Sequence, residues 1–89
     1  MKPRPMKPRL EVHLWSALRR FTDGREAVTV EAATIGEMLD ALRRDWPGLR
    51  DAIDAGVSVS VDGRLIAASR SEPLHEGQEI YLLQRLKGG

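Results

Sequence analysis

One strong helix signal, in a chain that otherwise alternates between apolar and polar residues, most restricts the possible fold. Thr34 and Glu37 form a Thr-x-x-Glu capping box, in which the threonine hydroxyl accepts from the amide of residue 37 and the carboxylate reaches back to the amide of Thr34. Apolar residues then recur at the i, i+3, i+4 and i+7 spacing of one helix face, namely Ile35, Met38, Leu39 and Leu42. Pro47-Gly48 ends this helix. Its apolar stripe must pack against another element of the fold.

Short segments with period-2 alternation predict the strands of a sheet. They are residues 10–14, 28–31, 57–61, 64–67 and 79–83. Asp62-Gly63 predicts a tight hairpin, because both positions tolerate positive φ. Residues 16–21 are too short for a helix and predict an irregular connection, whereas residues 49–55 predict one short helical turn closed by Gly56, and residues 68–78 a polar loop. The predicted fold is α+β, a mixed four-to-five-stranded sheet covered on one face by one main helix.

The first nine residues differ in composition from the rest of the chain. They carry four basic residues and three prolines, and alternating prolines resist helix and sheet. We therefore predict a disordered basic arm at 1–9, a domain at 10–84 and a flexible tail at 85–89. The repeat of Met-Lys-Pro-Arg at 1–4 and 6–9 also makes Met6 an alternative start. The body is mildly acidic and the arm has no aromatic stacking platform, which disfavours nucleic acid as a partner.

Size and residue types argue against an autonomous enzyme. A domain of 89 residues buries roughly 60–65% of its unfolded surface, which leaves little interior for a catalytic cleft. The chain has no cysteine, and this excludes thiolate metal sites and thiol nucleophiles. His13 and His75 are far apart in sequence, which disfavours a metal site. No apolar run approaches the ~20 residues of a membrane span, so we expect no membrane association and, by default, a cytoplasmic location.

Four segments in order resemble the MoaD/ThiS group of ubiquitin-like, β-grasp sulfur carriers. The segments are Val12–Arg19, Thr34–Leu39, Pro73–Ile80 and the terminal Gly88-Gly89, and together they span residues 10–89. The tail departs from the molybdopterin type, whose members usually have Pro-Pro before the last residues. Arg85-Leu86-Lys87 is closer to the tail of ubiquitin itself.

The resemblance implies that the chemical site is the carboxylate of Gly89. In such carriers an activating enzyme uses Mg-ATP to adenylate the terminal glycine, and a sulfur donor then converts it to a thiocarboxylate. A sulfur-accepting synthase subunit consumes the sulfur in molybdopterin, thiamine or related biosynthesis. Arg85, Leu86, Lys87 and Gly88 would thread the enzyme's channel, which suits glycine because it lacks Cβ. The chain is then a carrier that binds no cofactor, not an enzyme.

The uncovered sheet face predicts a docking surface. If Leu14 faces the helix, Trp15 points outward, and Tyr81 and Leu83 do the same on the last strand. The resembled fold pairs the first and last strands in parallel, so Trp15 and Leu83 would form an apolar patch beside the tail; burial of Trp15 at an irregular strand end is the alternative. Two other functions stay open: a ubiquitin-like modifier joined through Gly89 to target lysines, and an interaction module without tail chemistry.

Overall fold

The computed structural model describes residues 7–66 and 69–84. Its strands are β1 (Arg9–Leu14), β2 (Ala27–Glu31), β3 (Val57–Val61), β4 (Arg64–Ile66) and β5 (Ile80–Gln84). Its α-helices are α1 (Ser16–Arg19), α2 (Ile35–Asp45) and α3 (Arg50–Ala55), with 3₁₀ turns at Arg20–Thr22 and Pro47–Leu49. All five predicted strands therefore form, with ends that shift by a residue. Ala67, the last residue of the predicted fourth strand, lies outside the described residues.

The strands make one mixed sheet in the order β2-β1-β5-β3-β4. β1 runs antiparallel to β2 and parallel to β5, with Leu14 opposite Leu82. β3 runs antiparallel to both β5 and β4. The last strand of the chain thus occupies the centre of the sheet. With α2 as the main helix on one face, this arrangement confirms the predicted β-grasp fold.

The core lies between α2 and the alternate residues of the three central strands. Period-2 geometry sends successive side chains to opposite faces, so Leu10, Val12 and Leu14 are buried while their neighbours are not. From the helix, Ile35, Met38 and Leu42 complete this layer, each no more than 1% exposed. The opposite sheet face has no helix over it among the described residues.

The start of α2 is capped by side chains and by a loop. Thr34 Oγ1 accepts from the Glu37 amide at 3.2 Å, as the capping box predicts. The other half of that prediction is wrong by one residue, because Glu37 Oε1 accepts from the Ala33 amide at 2.9 Å and not from Thr34. The same oxygen lies 3.4 Å from Lys7 Nζ, which draws the carboxylate toward the segment before β1.

Residues 69–74 supply the remaining helix cap. The Ile35 amide donates to the Glu72 carbonyl at 3.0 Å and the Gly36 amide donates to the Arg70 carbonyl at 2.9 Å. These bonds satisfy amides that have no partner inside the helix. Gly36 is buried, and a Cβ placed on it would lie 3.0 Å from both Cβ and O of Arg70. The loop therefore packs so closely against the helix that a methyl group at residue 36 would require it to move by a few tenths of an ångström.

The segment after β1 corrects the sequence prediction. Residues 16–21 were expected to be irregular, but α1 and a 3₁₀ turn form there. A helix of four residues is unstable alone, so tertiary packing must hold it. Leu18 is fully buried, and Thr22 Oγ1 lies 3.2 Å from the carbonyls of both Arg19 and Arg25.

In the part of the chain that the structure describes, no helix is long and apolar enough to cross a membrane.

Candidate functional site

The predicted chemical site follows β5 directly. Its residues, Arg85, Leu86, Lys87, Gly88 and Gly89, lie outside the described residues, as do residues 1–6 of the arm. The described structure therefore defines the surface from which the tail departs. That surface surrounds Gln84, the exposed last residue of β5.

Trp15 lies beside this departure point. Its amide donates to the carbonyl of Leu82 at 3.2 Å, which extends the parallel β1–β5 pairing by one step. Arg19 Nε donates to the Leu14 carbonyl at 3.1 Å, and this bond fixes the turn from β1 into α1. The Trp15 side chain is 52% exposed, and Leu83 is half-buried on β5. The turn thus holds an indole on the surface next to the root of the tail.

A continuous row of side chains crosses the uncovered face. Strand register places one residue from each strand in line, in the order Ala27, His13, Tyr81, Ser60 and Leu65. The half-buried Tyr81 ring stacks on the His13 ring with centroids 4.9 Å apart and planes 25° apart. Leu65 is 68% exposed. Ser60 lies between the tyrosine and this leucine in the row.

Sequence reasoning missed His13 and Leu65 as parts of this surface. A signal for Leu65 was present, because the Asp62-Gly63 hairpin puts Leu65 opposite Ser60, on the face away from Val59 and Val61. The contact between His13 and Tyr81 needs the β1–β5 register, which no local pattern specifies. We define the open-face patch as Trp15, Tyr81, Leu83 and Leu65.

The described residues combine an exposed apolar and aromatic sheet face with few buried polar groups. They contain no group of three His, Asp or Glu residues placed to hold a metal ion. Among them Thr22 is the one buried polar side chain, and its hydroxyl bonds the backbone. A carboxylate with a lowered pKa, Glu37, serves the α2 cap, chiefly through its bond from the Ala33 amide. Apolar and aromatic groups on an exposed sheet face are typical of protein docking.

Comparison with known proteins identifies the family. The ThiS family model matches residues 12–89, which includes the terminal Gly-Gly. The chain belongs to the ThiS family. This result confirms the resemblance deduced from the four sequence segments. No curated protein matches the chain by sequence.

Solved structures share the fold of this ThiS family member. Small archaeal modifier protein 1 of Haloferax volcanii is 28% identical with a TM-score of 0.73, covering 89% of this chain and 99% of that one. A putative molybdopterin converting factor, subunit 1, from Pyrococcus furiosus is 17% identical with a TM-score of 0.74, covering 89% and 99%. A complex of subunits 1 and 2 of the molybdopterin-converting factor from Helicobacter pylori matches at 23% identity and a TM-score of 0.65, covering 91% and 99%.

Proposed function

We propose that this protein is a sulfur carrier whose Gly89 carboxylate is adenylated by a partner activating enzyme and converted to a thiocarboxylate. The observation that carries the proposal is the ThiS family match, which runs through the terminal Gly88-Gly89. The uncovered sheet face with an exposed tryptophan at the root of the tail supports it. The carrier contributes a substrate atom and the partner contributes Mg-ATP and catalytic groups.

The chemistry explains why a partner is needed. A C-terminal carboxyl group has a pKa of about 3.3–3.7 and is therefore ionised at neutral pH, which makes it a poor electrophile. Attack of a carboxylate oxygen on the α-phosphorus of ATP releases pyrophosphate and gives an acyl-adenylate. Hydrosulfide supplied by the donor then attacks the acyl carbon, so that the C–S bond forms while the C–O bond to AMP breaks, and loss of the proton leaves the thiocarboxylate and free AMP. Glycine at both last positions lets the chain enter a narrow site, because no Cβ obstructs it.

Intact mass spectrometry tests the proposal directly. The protein is incubated with its activating enzyme, ATP and a sulfur donor, and we expect the mass increase of one oxygen-to-sulfur exchange, localised to Gly89. A variant lacking Gly88 and Gly89 is the matched control and should stay unmodified. If the full chain is not modified, or if the truncated variant supports sulfur transfer in cells equally well, the carrier function is wrong.

The open-face patch is proposed as the docking surface for the activating enzyme and for the synthase subunit that accepts sulfur. Buried aromatic anchors at interfaces often contribute about 2 kcal/mol or more, so Trp15→Ala should weaken binding to the activating enzyme by roughly 30-fold. Leu83→Ala should weaken it less, because Leu83 is half-buried in the free chain. Thr29→Ala, on the edge strand of the same face, is the control. Unchanged affinity for both patch variants would remove the docking role.

A second candidate, a protein modifier joined through Gly89 to target lysines, has its own support. The structural match to small archaeal modifier protein 1 and the ubiquitin-like Arg85-Leu86-Lys87 both favour it. Both functions begin with adenylation of Gly89 and differ in the product that follows. The mass-spectrometry assay separates them, because isopeptide adducts on other proteins identify a modifier and a thiocarboxylate identifies a carrier. A module without tail chemistry would instead be insensitive to Gly89→Ala. The receiving pathway and the cytoplasmic location stay predictions.

A further inference from the structure

Basic residues are segregated in the folded chain. Residues 19–26 and 43–51 carry six basic residues against four acidic ones, whereas the rest of residues 7–84 carries four basic residues against nine acidic ones. The two segments pack together, since a Cβ placed on Gly48 would lie 3.3 Å from the Phe21 carbonyl oxygen. They form one surface on an otherwise acidic body.

Arginine side chains dominate that surface. The Arg20 guanidinium lies 4.8 Å from the Phe21 ring centroid, and that of Arg25 lies 5.5 Å from the Trp46 ring centroid. Arg50 is exposed and borders a surface pocket with Arg44. We name Arg20, Arg25 and Arg50 the basic lobe. Within the described ranges no salt bridge joins these three to an acidic side chain.

The basic lobe lies at the end of the molecule from which the tail departs. β1 and β5 are parallel, so α1 and its following 3₁₀ turn begin where β5 ends. Helix α2 starts beside the loop before β5 and runs back to Trp46, which meets Arg25. At the opposite end Asp62 and Glu79 exchange hydrogen bonds of 2.8 and 2.9 Å. Four acidic residues of this hairpin and the adjoining loop, Asp62, Glu72, Glu76 and Glu79, outnumber its two basic ones, Arg64 and Arg70.

We propose that the protein which receives the tail presents an acidic surface to the basic lobe, and that this charge polarity orients the carrier tail first during association. The inference rests on the proposed function, which requires a partner around the tail. Complementary charge raises association rates and selects orientation more than it raises affinity. The lobe is on the helical side of the sheet, so it extends the interface beyond the open-face patch.

An acidic protein fits the lobe better than a nucleic acid does. Single-stranded nucleic acid is bound by aromatic rings on which bases stack, but the rings of Phe21 and Trp46 already carry the chain's own guanidinium groups. The excess of acidic residues elsewhere on the body also repels a long polyanion. A folded partner with a local acidic surface avoids both problems.

Association kinetics with the activating enzyme test the proposal. The lobe variant is Arg20→Gln with Arg50→Gln, and the control is Ser71→Glu with His75→Glu, two exposed positions near the acidic end that lower the net charge equally. At about 0.05 M salt, where screening is weak, we expect the lobe variant to associate at least about threefold more slowly than wild type. The rates should converge near about 0.5 M salt, with dissociation unchanged, and the control should stay within about twofold of wild type.

Each contrary result has a distinct meaning. Equal association rates for the lobe variant and wild type at low salt refute the role of the basic lobe in association. If the control variant associates as slowly as the lobe variant, net charge and not the lobe sets the rate, which also refutes the proposal. Binding of labelled transfer RNA that the lobe variant loses, with enzyme association intact, would assign the lobe to nucleic acid instead. Thiocarboxylate formation is measured in parallel at saturating enzyme. If wild type forms no thiocarboxylate, both the proposed function and the proposed partner are wrong. If wild type forms thiocarboxylate but the lobe variant associates at the wild-type rate, only the role of the basic lobe is wrong.

Discussion

Replacing Gly36 by alanine has two opposite effects on stability, one through helix propensity and one through packing against the loop. Alanine is favoured over glycine inside a helix by about 1 kcal/mol, so sequence alone predicts a more stable protein. In the structure the new methyl group would lie 3.0 Å from Cβ and O of Arg70 and 3.1 Å from its Nε. Two of these atoms belong to the loop's main chain or its first side-chain carbon, so a rotamer change cannot clear them.

The expected outcome is a less stable protein. Moving the loop weakens the bonds from the Ile35 and Gly36 amides, at about 1 kcal/mol each, and forcing a close contact typically costs a further 1–3 kcal/mol. Subtracting the propensity gain of about 1 kcal/mol leaves a net loss of about 2–4 kcal/mol. For a domain of this size each kcal/mol lowers the Tm by about 4–8 °C, which calorimetry or circular dichroism detects easily.

A double-mutant cycle isolates the cause. Arg70→Gly removes the side-chain contacts but keeps the carbonyl, so Gly36→Ala should cost less in that background than in wild type. A rise in Tm for Gly36→Ala alone would refute the packing argument and show that the loop yields without loss. Thiocarboxylate formation at Gly89 should be unchanged, because this loop lies at the end of the molecule away from the tail.

Three further changes have expected outcomes. Leu82→Ala empties the centre of the sheet, where the side chain is fully buried, and should lower the free energy of unfolding in urea by about 3 kcal/mol. Thr34→Ala removes the α2 cap and should cost about 1 kcal/mol by the same measurement; no change would show that the loop alone caps the helix. Glu37 has its pKa lowered from 4.5, first by the Ala33 amide and then by Lys7. A carboxyl group whose pKa is lowered in the folded protein stabilises the fold above pH 4.5, and this stabilisation is lost as the pH falls through the folded-state pKa. The Tm of wild type should therefore exceed that of Glu37→Gln at pH 7 and equal it in acid. A difference in Tm that persists in acid would contradict this role of the Glu37 carboxylate.

Much of the fold was predictable because its local signals are independent of one another. The capping residue Thr34, the stripe from Ile35 to Leu42 and the Asp62-Gly63 hairpin each specify an element without reference to the rest. The parallel pairing of β1 with β5 is different, because no local sequence pattern in either strand specifies a partner so far away in the chain. That pairing entered the sequence analysis only through the family resemblance.

The errors have physical causes outside the local pattern. Residues 16–22 become helical because Leu18 and Thr22 are buried by the rest of the fold, which overrides the low stability of a short helix. Glu37 accepts from the Ala33 amide, one residue before Thr34, and its carboxylate also lies beside Lys7, which the capping-box pattern does not include. Of the site, Gly89 stays a prediction made from the sequence, and the row through His13, Tyr81 and Leu65 depends on strand register across the sheet.

The central position of β5 has a consequence for biosynthesis. Ile80 and Leu82 fill the middle of the core and bridge the two halves of the sheet, so a nascent chain lacking residues 80–84 has two half-sheets and no strand to join them. Folding therefore waits for the final segment, and prematurely terminated products stay unfolded and open to proteolysis. The strand that completes the domain also directly precedes the tail that carries the proposed reactive carboxylate, so the tail is synthesised only when the sheet can close.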